Sequence, residues 1–437
     1  MPRLFVGNVD NEHLTGDVRQ ASPAQRMTSA LEATSALWTA REGDALILPL
    51  TPGDEFREHV EAQTGVARDQ VHIVPGPGTA ADPAVITGDV LLSREMIERV
   101  RSVVTAPEEW SLGAYYSDRT VAHLGDTLGI SLPDHPFIRE GGNELFNSKA
   151  IFRRLAAGAG VPVPIGGTAS SPAMLERLLR EILSETRAAI VKKDLSAGAT
   201  GNVVISDDAS TDFSGATHLI EVDRNSRFSE LAQRLWEAQV PGGHGEVVVE
   251  EYHANSDSLY VELNVGDEGV DVLGWGRERM DPVWVGFEIS RSLLSEKQRE
   301  ELLDVSVALG MLVFSLGYRG LMSVDAIIAE NRNLYLNEIN ARVSGCTHIH
   351  GLLPGADLSV DTTVLTRKDV FCPSFKHGIE ALVREGIEWT PQKGGVLLLS
   401  EDSLEGGSME IMTAAPDEAQ ARALEKTATD LLNRAEW

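Results

Sequence analysis

The stretch Leu334 to Gly345 reads LYLNEINARVSG. Glu338, Asn340 and Arg342 sit two apart in an otherwise apolar run. Residues two apart on a strand share a face. Such a face would set a carboxylate, an amide and a guanidinium side by side. Just upstream, LMSVDAIIAE is a second strand-like run, and the turn-rich AENRN between the two predicts a hairpin. A hairpin centred between Asn331 and Arg332 puts Asp325 opposite Glu338. Opposed side chains lie ~4.5–5.5 Å apart at Cβ, and like charges there destabilise the pair. A cation would relieve that repulsion. With Asn340 added, the set offers hard oxygen ligands and no thiolate, which suits Mg²⁺ or Mn²⁺. Mg²⁺ commonly completes its shell from water and substrate phosphates, so this site would also imply a nucleotide. The alternative is two separate, solvated surface carboxylates.

Three further stretches fit a nucleotide. Lys192 ends the apolar run AAIV and precedes the loop SAGATG, Ser196 to Gly201. A lysine fixed on a strand is a cation for phosphate. Gly198 and Gly201 would let backbone N–H groups approach phosphate oxygens. An ordinary hairpin turn would have the same composition. Lys193 is expected to face the other way. Lys149, near a helix start, could add a second cation or be a solvated helix residue. In VVVEEYHANSDS an apolar strand runs into acids. A strand-to-loop crossover there would offer backbone groups near Tyr252 and His253 to an adenine edge, and a carboxylate to ribose hydroxyls. Glu250, Glu251 and Asp257 also fit solvated strand-end charges.

The elements that would position these residues alternate along the chain. RLFVGN, DALILPL and QVHIVPG read as short apolar strands, with helical periodicity in PAQRMTSALEATSALW, so residues 1–145 predict an α/β domain with a parallel sheet. PGPGTA reads as a loop and not a phosphate cradle. Residues 146–250 predict a small α/β lobe. Asn147 or Ser148 caps a first helix that ends at Gly158 and Gly160, before Pro162 and Pro164. Residues 251–437 predict a larger lobe. Its strands are SLYVELNVG and VDVLGWGRERM. A helix follows with Leu302, Leu303, Leu309, Leu312, Val313 and Leu316 on one face, stopped by Gly317. The metal hairpin and a C-terminal ββα extension complete it.

The 437 residues carry 66 acidic and 38 basic side chains, a net charge of −28. That balance disfavours nucleic-acid backbones. No run approaches the ~18 apolar residues of a membrane span, and MPRLFVGNVD does not read as a signal peptide. Two cysteines, Cys346 and Cys372, argue against a disulfide scaffold and fit a reducing cytoplasm.

Taken together, NSKAIFRRLAAGAGVPVP, IVKKDLSAGATG, VVVEEYHANSDS, GYRGLMSVD and LNEINARVSG resemble the ATP-grasp superfamily over Asn147 to Gly345. The arrangement looks most like its carboxylate–amine ligases, including the peptide ligases of pheganomycin-type antibiotic assembly. The resemblance implies an ATP-grasp fold, ATP and Mg²⁺ (or Mn²⁺) as cofactors, an amino-acid carboxyl donor, and an amino acid or peptide as amine acceptor. It implies phosphate contacts from Lys149 and Lys192. Ser196, Gly198 and Gly201 would form the covering loop; Glu250 or the adjacent Glu251, with the hinge backbone near Tyr252 and His253, would sit at the adenine and ribose, and Asp257 matches the ribose-binding acid. Asp325, Glu338 and Asn340 would hold the metal, and Arg342 would face the reacting carboxylate or phosphate. This chain has Lys193 where many members carry proline, Asp257 where glutamate is usual, and Ser323 where several ligases carry arginine. The last departure leaves Arg342, Arg277 and Arg279 as candidates to steady the phosphoryl group.

The implied reaction is ADP-forming amide synthesis through an acyl phosphate. The alternatives are a biotin-dependent type of carboxylase on the same fold and a non-catalytic ATP-binding module; oligomeric state is open. His348 and His350, read as two apart on a strand, fit structural or substrate-loop roles better than a metal pair. Cys346 reads as a packed thiol.

Overall fold

The structure, a computed structural model, describes the chain except residues 16, 17, 19, 20, 80, 134, 197, 209–212, 224–226, 357, 360, 402–407 and 435–437. Ala197 of the glycine-containing loop is therefore outside the described residues. Among the described residues no helix is long and apolar enough to cross a membrane.

Short β-rich apolar segments build the first sheet. Arg3–Val6, Ala45–Leu48, His72–Pro75 and Ser111–Ala114 pair in parallel, with Arg3–Val6 between Ala45–Leu48 and Ser111–Ala114. Ala45–Leu48 is buried along its whole length, as expected for a parallel strand covered on both faces. The helix Pro23–Ala33 starts at a capping box: Gln25 N–H donates to Ser22 Oγ (3.2 Å) and Ser22 N–H to Gln25 Oε1 (2.8 Å).

A five-stranded sheet follows, in the order His218–Glu221, Asn202–Ser206, Ala188–Lys193, Val247–Glu251, Gly166–Ala169. Its helices Pro172–Glu185 and Phe228–Gln239 supply Leu175, Leu179, Leu231 and Leu235 to one core. The helix Lys149–Gly158 begins at Ser148, whose Oγ accepts from Ile151 N–H at 3.2 Å, so Ser148 and not Asn147 is the cap.

An eight-stranded antiparallel sheet carries the site. Its order is Leu334–Asn340, Gly320–Ile328, Asp257–Val265, Val270–Met280, Trp284–Ile289, Thr363–Phe371, Ser408–Ala415, Gly395–Leu398. The C-terminal strands continue this sheet, joined through Glu288 opposite Leu365. The helix Glu296–Ser315 covers the back of the sheet, packing Leu302, Leu309 and Val313 against Leu259, Val261 and Leu263. Leu316 is its C-cap and is 47% exposed, so the apolar face ends earlier than its sequence periodicity predicts.

The first sheet docks on the far end of the third. Phe56 meets Phe375 edge-on at 5.5 Å, and Trp38 Nε1–H donates to the Leu399 carbonyl at 2.8 Å. The chain ends thereby close a cleft of about 930 Å³ lined from all three sheets.

Candidate active site

The hairpin Gly320–Asn340 places Asp325 opposite Glu338. The register is not uniform. Near the turn, Ile328 faces Leu334 and Ile327 faces Tyr335, and the pairing then shifts between Asp325 and Ala326. The turn is therefore centred on Asn331, with Arg332 in the left-handed region at φ +69°. A bulge at Asn337 restores the predicted pairing of the two carboxylates. Bulges of this kind re-aim side chains beside functional sites. Asn337 and Glu338 both line the cleft as a result.

Asp325 Oδ1 accepts from Ser323 Oγ at 3.0 Å, and Oδ2 from Asn340 Nδ2 at 2.9 Å. Burial, and then the charge of Glu338, push the Asp325 carboxyl up to about 8. Glu338 goes the other way. Burial alone would raise it, but the Lys149 ammonium, with Lys192 and Arg342 beyond, outweighs burial and holds it below the usual range. Lys149 Nζ lies 2.7 Å from Glu338 Oε2 and donates to the Ser196 carbonyl at 2.8 Å. A third carboxylate, Glu278, shares this wall. Burial first, then Asp325 and Glu338, raise it well above its ordinary value. Asp325, Glu338 and Asn340 bring side-chain oxygens, the donor type of hard divalent cations, to one wall, although among the described residues no three His, Cys, Asp or Glu side chains cluster as a metal site by themselves.

Lys192 is buried and pairs with Glu250 Oε2 at 2.6 Å; Arg153 holds the other oxygen of Glu250. Glu250 is thus a buried clamp on Lys192. Lys193 also lines the cleft, contrary to the expected alternation. It is the last residue of its strand, where the chain turns into the loop. In that loop Gly198 and Ala199 both adopt positive φ. Gly201 is required by packing: a Cβ there would lie 2.7 Å from Lys193 Cβ and from Ser196 Oγ.

At the hinge, Glu251, Tyr252 and His253 line the cleft. Tyr252 Oη accepts from Ser214 N–H at 2.7 Å, and the His253 ring stacks on Tyr335 at 4.9 Å. Asp257 is not brought to this wall. Along Asp257–Val265 the side chains alternate. Ser258 lines the cleft and Tyr260 pairs with Asp325, whereas Leu259 and Val261 enter the core behind the sheet. Asp257 lies on that back face and pairs with Arg277 Nη2 at 3.1 Å. The same rule removes both strand arginines. Arg277 also meets Glu288, and Arg279 is held by Glu425 of the helix Glu418–Leu432. Their neighbour Glu278 is the cleft residue. Among the described residues the cations lining the cleft are Lys149, Lys192, Lys193, Arg342 and Lys368.

Arg342 is held by Asn147, whose Oδ1 accepts from Nη1, and its own N–H donates to the Asn340 carbonyl at 2.9 Å. The segment after it turns into a short helix, Thr347–Leu352. His348 and His350 therefore lie on a helix and not a strand, and point different ways. His350 Nε2 contacts Tyr260 Oη at 3.0 Å. Cys346 is a buried free thiol.

Sequence reasoning missed Glu278, Glu262, Tyr115 and Glu32. Glu262 left a signal: a carboxylate inside the apolar strand YVELNV. Tyr115 and Glu32 left none, because only the docking of the first sheet brings them to the cleft.

The pre-ATP-grasp domain model matches residues 33–130. The L-propargylglycine–L-glutamate ligase of Streptantibioticus cattleyicolor is 27% identical over 312 residues, 68% of this chain and 60% of that protein. The [butirosin acyl-carrier protein]–L-glutamate ligase of Niallia circulans is 26% identical over 225 residues, 51% of this chain and 48% of that protein. The chain thus spans less than two thirds of the length of either relative. Among solved structures, the L-amino acid ligase from Bacillus licheniformis superposes with a TM-score of 0.56 at 14% identity, covering 99% of this chain and 98% of that one. The ADP complex of N5-carboxyaminoimidazole ribonucleotide synthetase gives 0.59 at 13%, covering 99% of each. Biotin carboxylase from Campylobacter jejuni gives 0.58 at 14%, covering 98% of this chain and 91% of that one. At these identities the structural likeness is one of fold.

Proposed function

We propose that this chain, which has the ATP-grasp fold behind an N-terminal pre-ATP-grasp domain, is an ATP-dependent ligase that couples an amino-acid carboxylate to the amine of an amino acid or peptide. The observation that carries this reading is the polarised cleft. Lys149, Lys192 and Arg342 stand on the wall that holds Asp325, Glu338 and Glu278, and the acids Glu32 and Glu410, with Lys368 beside them, line the remainder. Cations suit phosphates and a carboxylate; an acidic wall suits an amine. Both relatives are named as L-glutamate ligases, and the first joins two amino acids, which supports amino acids as substrates.

In this reading the adenine lies against the Glu251–His253 hinge and the phosphates reach Lys149 and Lys192. Asp325, Glu338 and Asn340 would hold Mg²⁺, which supplies charge neutralisation at the terminal phosphates. Glu250 and Arg153 hold Lys192 in place, so its ammonium is positioned before substrate arrives. Arg342, fixed by Asn147, receives the donor carboxylate. Its oxygen attacks the γ-phosphorus, ADP leaves, and the acyl phosphate carries the good leaving group that a carboxylate lacks. The acceptor amine then attacks the acyl carbon and phosphate departs. The loop 196–201 excludes water from the intermediate.

The decisive experiment is ADP release screened over amino-acid and dipeptide pairs, with bicarbonate as a separate arm. The ligase reading expects ADP and phosphate only when both substrates are present, and a product mass equal to their sum less water. Hydroxylamine in place of the acceptor should trap the donor as its hydroxamate, one per ADP. AMP as the nucleotide product would overturn the mechanism, and ADP release that requires bicarbonate would favour the carboxylase reading.

A further inference from the structure

Glu262 has no place in the mechanism above, yet it is a carboxylate with no solvent exposure in an apolar strand. Burying a carboxylate without a counter-ion in contact costs several kcal/mol unless hydrogen bonds compensate. Here three hydrogen bonds do so, and all come from one turn. Ser344 Oγ donates to Oε2 at 2.8 Å, Cys346 Sγ donates to Oε2 at 3.3 Å, and Thr347 Oγ1 donates to Oε1 at 2.5 Å. The turn is the segment that directly follows Arg342. It is tied from the other side by Val343 N–H to the Tyr115 carbonyl at 3.0 Å. Ser344 N–H closes it on Thr347 Oγ1 at 2.9 Å. The same strand also grips the following helix, through Tyr260 Oη and His350 Nε2.

The turn presents groups to the cleft. Ser344, Gly345, Cys346 and His348 line it beside Arg342. His348 is only 6% exposed, and its Nε2 has no hydrogen-bond partner. Burial lowers this imidazole to about 4, so it stands neutral. A buried ring nitrogen left without a partner on a residue that lines the cleft calls for an explanation, and a ligand group that reaches it on binding supplies one.

We propose that Glu262 is a positioning residue: it fixes the turn 344–347 so that His348 Nε2 hydrogen-bonds the organic substrate whose carboxylate meets Arg342. This rests on the ligase reading. The nucleotide is held by other elements, so the effect falls on one substrate only. Loosening such a support by a fraction of an ångström to an ångström costs up to about a hundredfold in turnover.

The test uses Glu262→Gln, which keeps volume but cannot accept three hydrogen bonds, and His348→Phe. With the best amino-acid pair from the ADP screen, both variants should raise KM for the carboxylate substrate about tenfold or more. KM for ATP should stay within about twofold, since Lys149 and Lys192 are untouched. A second readout needs no substrate. Iodoacetamide should alkylate Cys346 in native Glu262→Gln much faster than in the wild type, with Cys372 unchanged as the internal control. Equal rises in both KM values would mean a general structural role and overturn the proposal, as would unchanged labelling of Cys346. If Glu262→Gln fails to fold, Ser344→Ala with Thr347→Val removes two of the three donors and carries the same expectations. A wild type inactive with every pair would sink the ligase reading instead, and the labelling result would still decide whether Glu262 holds the turn.

Discussion

Lys149 Nζ and Glu338 Oε2 lie 2.7 Å apart, so the cation expected to meet phosphate and a carboxylate expected to meet metal neutralise each other across two elements. The Lys149 side chain is 8% exposed and that of Glu338 20%. Removing one partner leaves the other charge largely desolvated. Lys149→Met should therefore lower stability by roughly 2–3 kcal/mol, read from urea unfolding without nucleotide, and weaken binding of a non-hydrolysable ATP analogue. Unchanged stability would mean that water already screens the pair.

Asp325→Asn should behave differently. An asparagine can keep bonds to Ser323 and Asn340 and carries no charge opposite Glu338 at any pH, whereas the Asp325 carboxyl, pushed up to about 8, opposes it fully only above that. The expected outcome is loss of Mg²⁺-dependent ADP formation with an unfolding midpoint at least equal to that of the wild type. Wild-type turnover would remove Asp325 from the metal site.

Lys192→Ala should raise the nucleotide dissociation constant more than Lys193→Ala. Lys192 is buried and clamped by Glu250, whereas Lys193 is half-buried at the strand end. Calorimetric titration with the same analogue compares the two. A larger effect at Lys193 would reverse the assignment.

Glu278→Gln and Arg277→Ala make an adjacent pair on opposite faces. Glu278→Gln should cut ligase turnover strongly. Arg277→Ala should leave turnover within about twofold, its loss being felt in the ion network with Asp257 and Glu288. Initial rates of ADP release decide between them, and an inactive Arg277→Ala of normal stability would return Arg277 to the site.

His59 gives a pH dependence away from the cleft. Its ring packs edge-on against Trp38 and Phe375, and burial lowers it to about 4. The unfolded chain takes up a proton near 6.5 that the folded chain refuses until about 4, so the unfolded state binds more protons in that window. Stability is fully present above the unfolded value and declines as pH falls towards 4, by up to about 3 kcal/mol from this group. His59→Phe should shrink the difference in unfolding free energy between pH 7 and pH 4.5. An unaltered difference would mean that the ring is already solvated.

The hairpin was legible in the chain because its information is local. Alternation puts Glu338, Asn340 and Arg342 on one face, and a turn of five residues limits the opposing register to a residue or so. The lysine strand, the capped helix and the apolar strands of the first sheet were legible for the same reason. What sequence could not supply was which face of a distant strand meets the cleft. Arg277, Glu278 and Arg279 are consecutive, and the covering helices Glu296–Ser315 and Glu418–Leu432 decide that the arginines turn away and the acid turns in. Asp257 was lost to the back face by the same one-residue parity. Tyr115 and Glu32 enter only when the first sheet docks on the third, a contact between residues hundreds of positions apart. Periodicity is fixed by backbone geometry and is written in the sequence, whereas phase relative to a binding site is set by burial, which only the assembled core determines.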